Sequence, residues 1–231
     1  EKVVFYIFWT KTVPCDRIVE EKENKKGGES MKIKRFIGGV LQSNGYVIYQ
    51  EDRGCCYVID PGYSAGVFRD FIEKKHLDMR GILLTHHHHD HTGAVQKLKT
   101  MFDCPVSIHR QDVDFCKFEV EHPLEDGDRI LLEDEEIRVV HTPGHTAGSV
   151  CFFSERGKLA FTGDTIFNVD LGRTDLEDGS ESDMIWSCRE VINKWNNEIF
   201  IYPGHGDGCN MKKVRKINHE FLEIVGDGKW Q

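Results

Sequence analysis

The chain has 231 residues, enough to bury one full core, and its 39 acidic against 30 basic residues give a formal charge of -9. A surface of that sign repels nucleic-acid phosphates, so no nucleic-acid partner is expected and the case for a nuclease is weakened. No apolar run approaches the roughly 20 residues needed to span a bilayer, and Val3–Trp9 is too short for a secretory core, so the chain is expected to be soluble and cytoplasmic, with no membrane partner.

Residues 1–30 read differently from the rest. A short apolar piece leads into Glu20–Ser30, rich in Lys, Glu and Gly, a composition that favours a solvated linker. This segment is expected to be a poorly ordered extension, and Met31 opens one main domain that runs to residue 231. The eight cysteines are expected to be reduced and mostly buried, none of them a metal ligand.

From Ile33 onward short strands come first. Tyr46–Tyr49 and Tyr57–Ile59 are β-branched and aromatic runs separated by Asp52, Arg53 and Gly54, which suits a hairpin. Val67, Phe68, Phe71 and Ile72 recur at helical spacing, so Ala65–His76 is predicted to be an amphipathic helix, followed by a buried strand over Gly81–Thr85. In the second half, Arg129–Leu132, Glu136–Val140, Ser149–Phe153 and Lys158–Thr162 read as strands. A helix then carries Met184, Cys188, Val191, Ile192 and Trp195 on one face. A strand over Ile199–Tyr202 and a last helix from about Met211 to Val225 complete the pattern. Two halves of this kind predict two sheets packed face to face with helices outside, an α+β fold.

The densest chemical signal is the run His86-His87-His88-His89-Asp90-His91. Side chains alternate along a strand, so His86 and His88 can point the same way as the strand ends, while Asp90 and His91 begin the next helix and turn toward a second position. One short segment can thus feed two metal ions. His145, Asp164 and His205 each follow a β-like run and a glycine, Gly144, Gly163 and Gly204, which allows the close backbone approach that a buried ligand on a strand-end loop requires.

These residues resemble the metallo-β-lactamase superfamily, whose pattern is His-x-His-x-Asp-His followed by a His, an Asp and a His at strand ends. The resemblance covers Met31 to about Phe221 and implies an αββα four-layer sandwich of two mixed sheets flanked by helices. It also implies that His86, His88 and His145 hold a first divalent ion, that Asp90, His91 and His205 hold a second, and that Asp164 bridges both. Zinc is the first expectation for the pair, with iron or manganese as alternatives, since imidazole and carboxylate ligands suit all three. Two such ions about 3.5 to 4 Å apart lower the pKa of a shared water from 15.7 to roughly 7 and stabilise a developing oxyanion. Asp90 and Asp164 are the candidate catalytic carboxylates, Asp90 as the group that orients the nucleophile.

Outside that set, His87 and His89 alternate with the ligands and are expected to face away. Asp60 and Thr85 are candidates to support the ligands from behind, with His141 a weaker one. His76, His109, His122 and His219 are expected to be surface or packing residues. The segments Gly38–Tyr46, Gly163–Phe167 and Leu171–Leu176 resemble the short glyoxalase II type, the hydroxyacylglutathione hydrolase-like proteins. The resemblance implies a hydrolase acting on a small-molecule thioester such as an S-acylglutathione. An Asp at 164, where many zinc β-lactamases carry Cys, argues against a β-lactamase. The full-length glyoxalase II pattern continues into a C-terminal helical domain that contacts glutathione, whereas about 25 residues follow His205. Lys212, Lys213 and Arg215, with Lys216, are then candidates to take a substrate's carboxylates, and Arg173 is another. The competing functions are a persulfide dioxygenase using one iron on residues matching His86, His145 and Asp164, a lactonase, an RNA-processing nuclease, and a non-catalytic metal or redox module. A monomer or small homo-oligomer is expected.

Overall fold

The computed structural model describes residues 31–226, so the expectation for residues 1–30 lies outside the described residues. Twelve strands form two six-stranded mixed sheets. The first contains β1 (Lys32–Gly38), β2 (Ser43–Tyr49), β3 (Cys55–Ile59), β4 (Asp78–Leu83), β5 (Val106–His109) and β6 (His122–Leu124), paired in sequence order. The second contains β7 (Arg129–Leu132), β8 (Glu135–His141), β9 (Val150–Ser154), β10 (Leu159–Gly163), β11 (Phe200–Pro203) and β12 (Cys209–Asn210), again paired in order.

Layering follows from alternation along strands buried on both faces. All seven residues of β2 are buried. Tyr46 and Ile48 enter a core between the sheets, against Ile137, Val139, Phe152 and Phe161, while Val47 and Tyr49 enter a separate core under helix α1 (Ala65–Lys75). In β9, Val150 and Phe152 face the other sheet, and Cys151 and Phe153 face the helices of the second half. A sheet whose two faces are both apolar must be covered twice, and four layers are the outcome. Helix α1 inserts Phe68 and Ile72 against the first sheet, each fully buried and contributing about 1.5–3 kcal/mol in transferred apolar area.

Three segments depart from the expected elements. Residues 104–128 contain the short strands β5 and β6 joined by a 3-10 turn over Arg110–Phe115, which no long periodicity announces. The helix expected around Met184–Trp195 is an α-helix, α4 (Glu181–Trp186), that widens to a π-turn over Ser187–Val191 and tightens over Ile192–Lys194. Ser187 Oγ donates to Pro143 O at 2.7 Å, tying the wide turn to the loop of His145. The last helix is two, α5 (Met211–Ile217) and α6 (His219–Val225), because Asn218 leaves the helical conformation to cap the second. Among the described residues no helix is long and apolar enough to cross a membrane.

Candidate metal centre

The site lies where strand ends of both sheets meet. His86 and His88 follow β4, and Asp90 and His91 sit in the one-turn helix α2 (His89–Thr92), which precedes α3 (Val95–Phe102). His145 lies in the loop between β8 and β9, Asp164 immediately follows β10, and His205 follows β11. All seven converge. His88 Nδ1 lies 2.9 Å from His145 Nε2, and the His86 ring is 4.9 Å from both of those rings. On the other side, His205 Nε2 lies 3.2 Å from Asp90 Oδ2 and 3.4 Å from His91 Nε2. Asp164 touches both groups, with Oδ2 3.6 Å from His145 Nε2 and 3.4 Å from His205 Nε2, and Oδ1 3.3 Å from His91 Nε2.

The outward nitrogen of four of these imidazoles is occupied. His145 Nδ1 is 2.7 Å from Arg173 O, His205 Nδ1 3.2 Å from Leu41 O, His91 Nδ1 3.3 Å from Asp60 Oδ2, and His86 Nδ1 3.1 Å from Thr85 Oγ1. Thr85 Oγ1 donates to Asp60 Oδ2 at 2.6 Å, so it can only accept from His86. These contacts put the proton on Nδ1 and leave Nε2 as a lone-pair donor facing inward. His86 Nε2 is accordingly buried with no hydrogen-bond partner, and so is Asp164 Oδ1. Together with these two atoms, the clustered imidazole nitrogens and carboxylate oxygens of His86, His88, His145 and of Asp90, His91, His205 fit divalent cations.

Charge divides the centre. Burial and the neighbouring imidazoles drive His86 toward its neutral form and push His88 down to about 4. Burial opposes ionisation of Asp90 and Asp164 as well, yet hydrogen bonds from His205 and His91 hold Asp90 well below the usual carboxylate range, and His91 and His205 lower Asp164. In return His91 is raised against its own burial by Asp164 and Asp60, and His205 rises to about 9 through its bonds to Asp164 and Asp90. His86 and His88 thus offer neutral nitrogens, and the other side holds carboxylates paired with His91 and His205, whose extra proton a cation would displace.

The backbone is cut to fit. Gly163 has φ 48° and faces Thr85 Oγ1, which a Cβ would approach to 2.2 Å. A Cβ on Gly204 would fall 2.1 Å from Asp164 Oδ1 and 2.6 Å from His91 Cε1.

Asp60 and Thr85 stand behind the ligands as described. His87 bonds Asp112, and its ring stacks on Phe115 at 4.4 Å. His89 is exposed but borders the cavity over the site rather than facing away from it. His141 bonds Ala147 O at 2.9 Å and stacks on His109 at 4.1 Å, away from the seven. Of the basic residues expected to meet substrate, Arg173 borders the cavity, with its guanidinium held by Asp175 at 2.7 and 2.8 Å. Lys212, Lys213 and Arg215 do not line it. They sit on α5, beyond the short strand β12, and Arg215 is taken up by Asn193 O, Trp195 O and Asn197 Oδ1.

Two sets of residues were not anticipated. Asp112 accepts hydrogen bonds from His87 N, His87 Nδ1, Thr146 Oγ1 and Gly148 N at 2.7–3.0 Å, clamping the histidine run to the loop of His145. Ser43 Oγ donates to Asp90 O, and Asn44 Nδ2 donates to Pro203 O and Gly206 O. They sit in the Gly38–Tyr46 stretch, where a run of small and amide residues was the available signal.

The cavity above the seven residues has a volume of about 660 Å³. Residues 38–205 match the family model for the metallo-beta-lactamase superfamily. The chain is 35% identical over 161 residues to a hydroxyacylglutathione hydrolase of Marinomonas sp. (strain MWYL1), covering 69% of this chain and 60% of that protein. Among solved structures it is similar to the BLEG-1 B3 metallo-beta-lactamase, with TM-score 0.76 and 27% identity over 81% of this chain and 98% of that one. It is also similar to TTHA1623 in a di-iron-bound form, with TM-score 0.72 and 29% identity over 80% and 98%.

Proposed function

The chain belongs to the metallo-beta-lactamase superfamily, and on that premise we propose that it is a metal-dependent hydrolase that cleaves a small-molecule thioester. The observation that carries this reading is Asp164, whose two carboxylate oxygens reach both groups of potential ligands at 3.3–3.6 Å. A carboxylate so placed would be able to serve two ions, which supports a hydrolase over the mononuclear-iron dioxygenase alternative. The presence of a second group, Asp90, His91 and His205, beside His86, His88 and His145 supports the same choice.

In this reading His86, His88 and His145 would hold one ion, Asp90, His91 and His205 the other, and Asp164 both. When bound, the pair supplies Lewis acidity that brings the pKa of a shared water from 15.7 to about 7. The protein's own groups do the positioning. Asp60 and Thr85 fix the ring planes of His91 and His86, Arg173 O fixes His145, and Leu41 O fixes His205. Asp90, partly buried and lining the cavity, would orient the attacking water with its carboxylate. Zinc is proposed as the metal, and the di-iron state of the 29% identical neighbour makes iron the alternative to measure. The likeness to a hydroxyacylglutathione hydrolase supports the thioester, and that to a B3 β-lactamase makes β-lactams a necessary control.

The test is metal analysis followed by thioester, lactone and β-lactam substrates on one preparation. Two metals per chain with thioester cleavage is the expected result. One iron with oxygen uptake on a persulfide, or β-lactam cleavage alone, would overturn it. Asp164→Ala and His145→Ala are each expected to abolish hydrolysis and to lower metal content while the protein stays folded.

A further inference from the structure

The walls of the cavity carry a different message from its floor. Exposed large apolar side chains concentrate there: Leu41 is 64% exposed, Val169 49% and Leu176 36%, and all three line the cavity together with Phe167. Beside Leu41, at the tip of the β1–β2 turn, Val40 is 99% exposed and Ile37 50%. Leaving such groups in water is unfavourable, and a cluster of them around a concave site marks the place where an apolar ligand completes the surface. The turn is also held in place, because Leu41 O accepts from His205 Nδ1, so this wall is fastened to the centre itself.

Cationic groups that could recognise a carboxylate are spoken for. Arg173, among the described residues the one Arg or Lys lining the cavity, is bidentate to Asp175. Arg35, behind the His205 loop, is bonded to Gly206 O and Asp207. Apart from the histidines, the other titratable lining groups, Asp90, Asp164 and Asp170, are carboxylates, and Asp170 is raised by burial and by Glu220.

We propose that the acyl half of the substrate is an uncharged, largely aliphatic chain seated against Leu41, Phe167, Val169 and Leu176. This rests on the thioesterase reading and sharpens it: the preferred substrate is a medium-chain acyl thioester of roughly four to eight carbons, a size that a cavity of this volume holds beside the thiol half. A polar acyl group, such as the lactoyl of an S-acylglutathione, leaves the apolar wall in water and finds no free guanidinium or ammonium on it.

The experiment measures thiol release by the metal-loaded protein from N-acetylcysteamine thioesters with acyl chains of two to eight carbons, with S-lactoylglutathione in parallel. Complete burial of a methylene is worth about a fourfold change in binding, so kcat/KM is expected to climb two- to fourfold per carbon from acetyl to hexanoyl. Hexanoyl should exceed lactoylglutathione at least tenfold. Leu41→Ser and Phe167→Ser should each flatten the climb. A flat or falling profile, or faster turnover of lactoylglutathione, overturns the apolar seat while leaving a thioesterase. Should no thioester be cleaved, the functional reading falls. The seat is then judged by binding of S-alkyl N-acetylcysteamine thioethers, which have no scissile bond: tightening with chain length upholds it, and length-independent binding refutes it.

Discussion

Replacing Asp112 by Asn tests whether the metal centre depends on a residue that touches none of its donor atoms. Asp112 is fully buried, and its two oxygens accept from Gly148 N on one side and from His87 N, His87 Nδ1 and Thr146 Oγ1 on the other. An amide keeps the shape but turns one acceptor into a donor. Whichever way it is oriented, at least one buried backbone N–H then faces an NH2 group. An unsatisfied buried donor costs about 1–3 kcal/mol, and one that had bonded a charged acceptor stands at the upper end. At roughly 2–4 °C per kcal/mol for a chain of this size, the melting temperature should fall by about 4–10 °C. His87 lies between His86 and His88, and Thr146 follows His145, so the same change should loosen three candidate ligands and weaken metal binding about 10- to 100-fold. Thermal unfolding followed by circular dichroism and competition with a chromophoric chelator measure the two effects. Asp114→Asn, an exposed change in the same turn, is the control and should leave both unaltered. If Asp112→Asn unfolds within 1 °C of the parent and holds metal within about twofold of it, the clamp is not what keeps the loops together.

Gly204→Ala places a methyl 2.1 Å from Asp164 Oδ1. It should cut metal affinity and hydrolysis by at least about tenfold with little change in far-ultraviolet circular dichroism, and parent-like metal content would contradict the tight backbone approach. Asn218→Ala removes the cap on Phe221 N and the donors to Phe167 O and Asp170 O. A loss of about 1–3 kcal/mol in urea denaturation is expected, with a rise in KM because Phe167 and Asp170 line the cavity, and an unchanged KM would separate the cap from the site. Burial pushes Cys151 and Cys116 up to about 12 from an ordinary value near 9. Their neutral forms therefore stabilise the fold fully below pH 9, and that contribution is lost as pH climbs toward 12. At pH 8 iodoacetamide should leave both unmodified in the native protein and label both in urea, so native labelling by mass spectrometry would contradict the packing.

The convergence of the seven metal-site candidates was legible because each stands at a strand end beside a glycine or within one tight histidine run, and the strand pattern places those ends together. The two packed sheets were legible because strands and helices follow the same order in both halves, and the four-layer sandwich was what the family resemblance implied. Asp112 was not, since its partners lie 25, 34 and 36 residues away and no spacing rule links a carboxylate in a 3-10 turn to loops of two other elements. The breaks at Ser187 and Asn218 were hidden because hydrophobic spacing runs through both, and each is set by side-chain bonds to a distant carbonyl. Lys212, Lys213 and Arg215 looked like ligands for substrate because basic character is visible in a sequence, whereas the direction of a helix relative to the cavity is not.

The centre draws its donors from both sheets, His86, His88, Asp90 and His91 from the first and His145, Asp164 and His205 from the second. Neither half of the chain can therefore assemble a complete cage alone. During synthesis the last donor becomes available only after β11 has left the ribosome. Ions bound there would act as rivets across the seam between the halves. Cutting the backbone in the turn between β6 and β7 should yield two fragments that each bind metal more weakly than the intact chain and are drawn together by it when mixed.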